Sequence, residues 1–142
     1  MQLTRFTDLG LRAVMLLATG DVADRRVTTR SIAASSNASD NHVAKAVSRL
    51  VELGLVEARR GRSGGLSITD AGRQASIGWL VRELEGDHDV IDCHGENPCP
   101  LIAGCRLRWA LSDAKDAFYR TLDELTVDDL VNGRTLQITA RP

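Results

Sequence analysis

Nothing constrains the fold of this chain more than the order of signals between Thr28 and Ile68. Thr28 or Thr29 can cap a short helix through Ile32, Ala33 and Ala34, and Ser35-Ser36-Asn37-Ala38 reads as a tight polar turn. Ser39 or Asp40 then caps a helix over residues 40–53, in which Val43, Val47, Leu50 and Val51 recur at helical spacing and should face a core. Asn41, Lys45, Ser48, Arg49 and Glu52 fall on the opposite side, and Gly54 stands where a left-handed residue closes the helix. Residues 55–60 can form a strand. Gly61-Arg62-Ser63-Gly64-Gly65 forms a turn, and Leu66-Ser67-Ile68 alternates as the return strand. A short helix, a tight turn, a longer helix with a polar and basic outer face and an arginine-tipped hairpin make a winged helix-turn-helix. The glycine-rich turn is not a phosphate-cradling loop, because no Gly-Lys-Ser/Thr follows it and no helix opens from it.

Charge supports a nucleic-acid role only when it is resolved along the chain. The 142 residues carry 18 Lys and Arg against 19 Asp and Glu, a net charge of −1. That excludes a bulk polycation, and an aromatic content of 4% argues against an RNA-stacking sheet. Residues 1–73 nevertheless hold 11 basic and 7 acidic side chains, while residues 74–142 hold 7 and 12. A basic first half beside an acidic second half fits a polyanion-binding module joined to a module with another task, although such a half can also be ordinary solvated surface. The candidate contacts to double-stranded DNA are Thr29, Asn41, His42, Lys45, Ser48 and Arg49, with Arg60 and Arg62 on the wing.

The flanking segments read as mainly helical. Residues 8–19 form a first helix with Leu9, Val14, Leu16 and Leu17 apolar, Asp8 as its cap and Gly10 as a weak point inside it. Thr69 or Asp70 opens a further helical stretch in which Ile77, Leu80, Val81 and Leu84 share a face, and Gly86 ends it. Residues 86–100 are irregular. A long helix follows, roughly residues 101–122, in which Leu107, Leu111, Ala114, Phe118, Leu122 and Leu125 step close to a heptad seam. A homodimer is the expected use of such a seam, because DNA-reading helices work in two-fold pairs. The tail from Asn132 onward reads as frayed. Residues 1–75 are therefore expected to read DNA, while residues 76–142 hold a loop at about 86–105 and a dimerisation helix in one compact unit. No apolar run is long enough for a transmembrane helix, and the first residues lack the features of a signal peptide, so a cytoplasmic location is expected.

The three cysteines fall at Cys93, Cys99 and Cys105, a C-x5-C-x5-C pattern. Gly95, Pro98 and Gly104 let the backbone around them wrap a compact object. Three thiolates can hold zinc or an iron–sulfur cluster, and the even five-residue spacing is looser than zinc sites usually show. His88 and His94 are local candidates for a fourth ligand, as are the carboxylates of Asp8, Glu85, Asp89 and Asp92. Bare redox-sensing thiols, or a zinc-bound structural or interaction module, are the alternatives. No cysteine is paired with a base in sequence context, so the chain is not expected to be an enzyme.

The run from Leu3 to Arg12, the wing residues 59–66 and the cysteine pattern ahead of a long helix together resemble the Rrf family of iron–sulfur winged-helix transcriptional regulators, over residues 3–130 or so. Residues 78–86 and 97–101 are similar to those of its nitric-oxide-sensing repressors. The resemblance implies a homodimer with crossing long helices and DNA binding that depends on a [4Fe–4S] cluster held by Cys93, Cys99 and Cys105. It also implies control of nitric oxide detoxification genes, with nitric oxide as the signal. It offers Asp8 of the partner subunit as fourth ligand; the competing role for Asp8 is local, as a helix cap or as an i,i+4 partner of Arg12. The other branch of the family regulates iron–sulfur homeostasis, with a [2Fe–2S] cluster as the alternative cofactor. It completes its site with a histidine three residues after the last cysteine, where this chain has Arg108.

Overall fold

The computed structural model describes residues 2–22, 26–61, 64–86 and 88–132. Helix α1 spans Arg5–Val22, α2 Thr29–Ser35 and α3 Asp40–Glu52. Strands β1 (Val56–Arg59) and β2 (Gly65–Ile68) form an antiparallel hairpin with Val56 opposite Ile68 and Arg59 opposite Gly65. Helices α4 (Asp70–Gln74), α5 (Ile77–Glu85), α6 (Arg106–Asp123) and α7 (Val127–Asn132) complete the chain.

Each element of the helix-turn-helix is fixed by local chemistry. Thr28 caps α2 in a reciprocal capping box with Ser31, and the Ser39 hydroxyl accepts from the His42 N–H to open α3. Asn37 takes a positive φ of 49° in the turn between them. Gly54 closes α3 at φ 74°, a conformation that a side chain would strain. The wing has a third edge, because the Leu66 N–H donates to the Val27 carbonyl at 2.8 Å.

One core runs through both halves of the chain. Leu9, Val14 and Leu17 of α1 meet Val43 and Leu50 of α3, Leu80 and Val81 of α5 and Val127 of α7, all essentially inaccessible to solvent. Gly10, the weak point of the first helix, is where α5 comes closest. A methyl group there would stand 2.6 Å from Leu84 Cδ1.

Several boundaries differ from the sequence expectation. The first helix begins three residues earlier, at Arg5, and Asp8 lies inside its first turn rather than capping it. Thr4 takes that role, its hydroxyl accepting from the Thr7 N–H at 3.3 Å. Val51 turns outward, 40% exposed, because Leu50 and Val47 fill the core side of α3. The stretch after Thr69 is two helices, since residues 75 and 76 leave the helix as the chain pairs with residues 125–127. There the Ile77 N–H donates to the Leu125 carbonyl, and the Val127 N–H to the Ala75 carbonyl. The long helix starts at Arg106 rather than at residue 101, because residues 100–104 form turns after Pro100 and through Gly104. The expectation for the tail after Asn132 lies outside the described residues.

Candidate cluster loop and DNA interface

The outer face of α3 carries the expected DNA contacts together. Asn41, His42, Lys45 and Ser48 are exposed, and with Arg49 and Glu52 they line an open concavity of about 600 Å³. Thr29 opens α2, half-buried, and Arg60 is exposed just beyond β1. Arg62 lies outside the described residues. Arg49 differs from its neighbours, because its guanidinium donates to Glu83 on α5 at 2.9 Å and to Glu52 at 3.3 Å.

The cysteines lie on the loop between α5 and α6 and its junction with α6. Cys93 is buried, whereas Cys99 and Cys105 are half-buried, and all three are free thiols. The Cys99 N–H donates to the Cys93 carbonyl at 3.2 Å, which folds the loop back on itself, and Cys105 immediately precedes α6. Burial pushes the Cys93 thiol above its ordinary pKa, negative charge on Cys99 and Cys105 adds to the shift, and Arg108 opposes it. Cys93 therefore lies within electrostatic reach of both other thiols. Among the described residues no three His, Cys, Asp or Glu side chains converge closely enough to hold a single metal ion.

The candidate fourth ligands are placed very differently. Glu85 is committed to α1, accepting from the Thr4 N–H at 3.1 Å, from the Thr4 hydroxyl at 3.0 Å and from the buried Thr7 hydroxyl. Asp92 caps its own turn, accepting from the His94 and Gly95 N–H groups at 3.1 and 2.7 Å. His88, Asp89 and His94 are exposed on the loop. Asp8 is held by Arg5 at 2.7 Å and by Arg12 at 2.6 Å, the second being the i,i+4 pair that the sequence suggests. Arg5 also donates to the carbonyls of Ser36 and Asn37 in the helix-turn-helix turn, both at 3.3 Å. The Asp8 carboxylate thus shares a partner with the turn that precedes α3.

Helix α6 is tied to α5 on one side only. Arg82 forms a two-pronged pair with Asp123, each prong 2.9 Å, and stacks over Tyr119 at 4.5 Å. Hydrogen bonds from Arg82, and then from Ser76, hold the Asp123 carboxyl below the usual carboxylate range. Tyr119 is the buried residue of α6, while Leu107 and Trp109 are 62% and 64% exposed. Phe118 and Leu122 of the seam pack partly on the core. No helix among the described residues is long and apolar enough to cross a membrane.

Comparison with known proteins agrees with this architecture. The profile of Rrf2, described as an iron-dependent transcriptional regulator, matches residues 3–133. The chain is 56% identical to the HTH-type transcriptional repressor NsrR of Streptomyces coelicolor, over all of this chain and 99% of that one. It is 39% identical to the HTH-type transcriptional regulator NsrR of Geobacillus kaustophilus, over 94% of this chain and 92% of the relative. The solved structure of CymR, the global cysteine regulator of B. subtilis, superposes with a TM-score of 0.70 at 24% identity, covering 92% of this chain and 96% of that one, which bears out the winged helix-turn-helix fold. The matching family is one of transcriptional regulators, not of enzymes. The chain belongs to the Rrf2 family of iron-dependent transcriptional regulators, as an HTH-type repressor of the NsrR kind.

Proposed function

We propose that the repressor works as a homodimer that senses nitric oxide through a [4Fe–4S] cluster and controls nitric oxide detoxification genes. The observation that carries this reading is the cysteine loop. Three free thiols, one buried and two half-buried, sit on one folded-back segment with five residues between successive ones. Such an arrangement suits an object larger than one metal ion. Cys93, Cys99 and Cys105 would hold the cluster, and Asp8 of the partner subunit would complete it. When bound, the cluster supplies iron that reacts with nitric oxide.

The protein's own residues supply the coupling. A carboxylate is a harder ligand than thiolate and the odd member of such a set. In the described chain, Asp8 is held by Arg5 and Arg12. Ligation would take the carboxylate from these arginines, and release would return it. Because Arg5 also holds the Ser36 and Asn37 carbonyls, that exchange reaches the turn before the recognition helix. The division of labour falls near residue 75. The segment before it reads a palindromic operator through Thr29, Asn41, His42, Lys45, Ser48, Arg60 and Arg62, with Arg49 on the same helix face, and the segment after it carries the sensor loop and the dimer helix.

Arg108 occupies the position three residues after Cys105, and arginine cannot ligate. This favours the nitric oxide reading over a regulator of iron–sulfur homeostasis. Native mass spectrometry of protein purified without oxygen, before and after nitric oxide, tests the reading. The expected result is a dimer with one [4Fe–4S] mass per chain that converts to iron-nitrosyl masses. A [2Fe–2S] mass would favour the homeostasis branch. A zinc adduct or a bare chain, with iron and sulfide supplied, would remove the cluster from the mechanism.

A further inference from the structure

The last turn of α5 touches both helices that matter for DNA reading. Glu85 holds the N-terminus of α1 through Thr4 and Thr7, and Leu84 fills the notch left by Gly10. Glu83 reaches the recognition helix, its Oε2 2.9 Å from Arg49 Nη2. The pair lines a cleft of about 590 Å³ that is also bounded by Gly86, where the sensor loop begins, and by Tyr119 of α6.

Arg49 is badly placed to serve as a plain phosphate contact. Its guanidinium is shared by two carboxylates, Glu83 and Glu52 at 3.3 Å, so its own charge is already matched within the protein. A DNA phosphate approaching this end of α3 meets those carboxylates together with the arginine. Both side chains of the α3–α5 pair are about a third exposed, at 37% and 34%, so its contribution to global stability is small. What the pair does fix is direction. It pins the C-terminal end of α3 to the helix that carries α6, while the core holds the opposite face of α3.

We infer that Arg49 and Glu83 are positioning residues, a strut that sets the angle of the recognition helix against the α5–α6 scaffold. In a two-fold dimer that angle decides whether both recognition helices meet successive major grooves in register. The inference rests on α3 being the DNA-reading helix and is independent of the cluster.

The sign of one substitution tests it. A duplex is first enriched from a random pool by the full-length protein, purified without oxygen and supplied with iron and sulfide. Its affinity is then measured by fluorescence anisotropy for the wild type, Arg49→Met, Glu83→Met and the double variant, across a range of salt. By charge alone, Glu83→Met removes a negative group near DNA and tightens binding. As a strut, Glu83→Met weakens binding by about two- to fivefold, the range expected of an exposed ion pair. Arg49→Met then weakens it equally, and the double variant is no weaker than either single one. The salt dependence of Arg49→Met stays that of the wild type. Glu83→Met binding as tightly as the wild type, or more tightly, would overturn the strut. So would additive losses with a salt slope lowered by about one in Arg49→Met, which marks a phosphate contact. A wild-type protein that enriches no duplex would remove the DNA-reading assignment of α3 itself, and the strut with it.

Discussion

At the scale of single residues, the acidic side chains divide by what already holds them. Glu85 accepts a backbone N–H and two hydroxyls at the N-terminus of α1, where the helix dipole favours a negative charge. It serves as a cap supplied from another helix. Glu85→Ala is expected to lower stability by about 1 kcal/mol, the usual worth of a helix cap. A drop in thermal midpoint of a few degrees would show it, and hydrogen exchange of residues 5–8 should quicken in the same variant. An unchanged midpoint with unchanged exchange would remove Glu85 as a cap. Asp8, one helical turn after Thr4, is held instead by Arg5 and Arg12. The distinction between these two carboxylates was not legible in the sequence, which offers both as acids of similar standing. Only the fold brings Glu85 across 81 positions to Thr4.

At the scale of elements, what could be read and what could not follows the range of the interaction involved. Helices α2 and α3 and the wing were legible because Thr28, Ser31, Ser39 and Gly54 settle their ends within a few residues. The split between α4 and α5 was not, because its cause is the pairing of residues 75–77 with a distant segment. Helix α7 was missed, although Thr126 and Asp129 form a reciprocal cap there that a search for such boxes would have found. Gly10 reads as a defect in the sequence, and the structure gives it a purpose as the crossing point of α1 and α5. Gly10→Val is expected to destabilise by about 1–3 kcal/mol through overpacking against Leu84. Chemical denaturation measures this, and Leu84→Ala should cost less in the Gly10→Val chain than in the wild type. A variant as stable as the wild type would mean that the two helices separate freely.

At the scale of the whole molecule, the acidic second half must not defeat the basic first. The exposed wing residue Arg60 and Lys45 on α3 face outward, while Arg73 of the first half and Arg82 of the second are paired with Asp128 and Asp123. The loss of an exposed cation such as Arg60 should therefore be measurable. Arg60→Ala is expected to weaken duplex binding and to lower the slope of log affinity against log salt by about one in each subunit. A slope equal to the wild type would place Arg60 away from phosphate. The cysteine loop was legible as a pattern from the sequence, and the position of its thiols relative to one another was not. That position depends on the Cys93–Cys99 backbone hydrogen bond and on where α6 begins.

Helix α6 buries little more than Tyr119 within its own chain and leaves Leu107 and Trp109 in water. If a second copy covers that face, newly made chains are idle until they meet. In dilute cells the population able to grip an operator then grows with the square of the number of chains, by mass action. Gene dosage and dilution at cell division would thereby tune repression steeply, with no change in the signal.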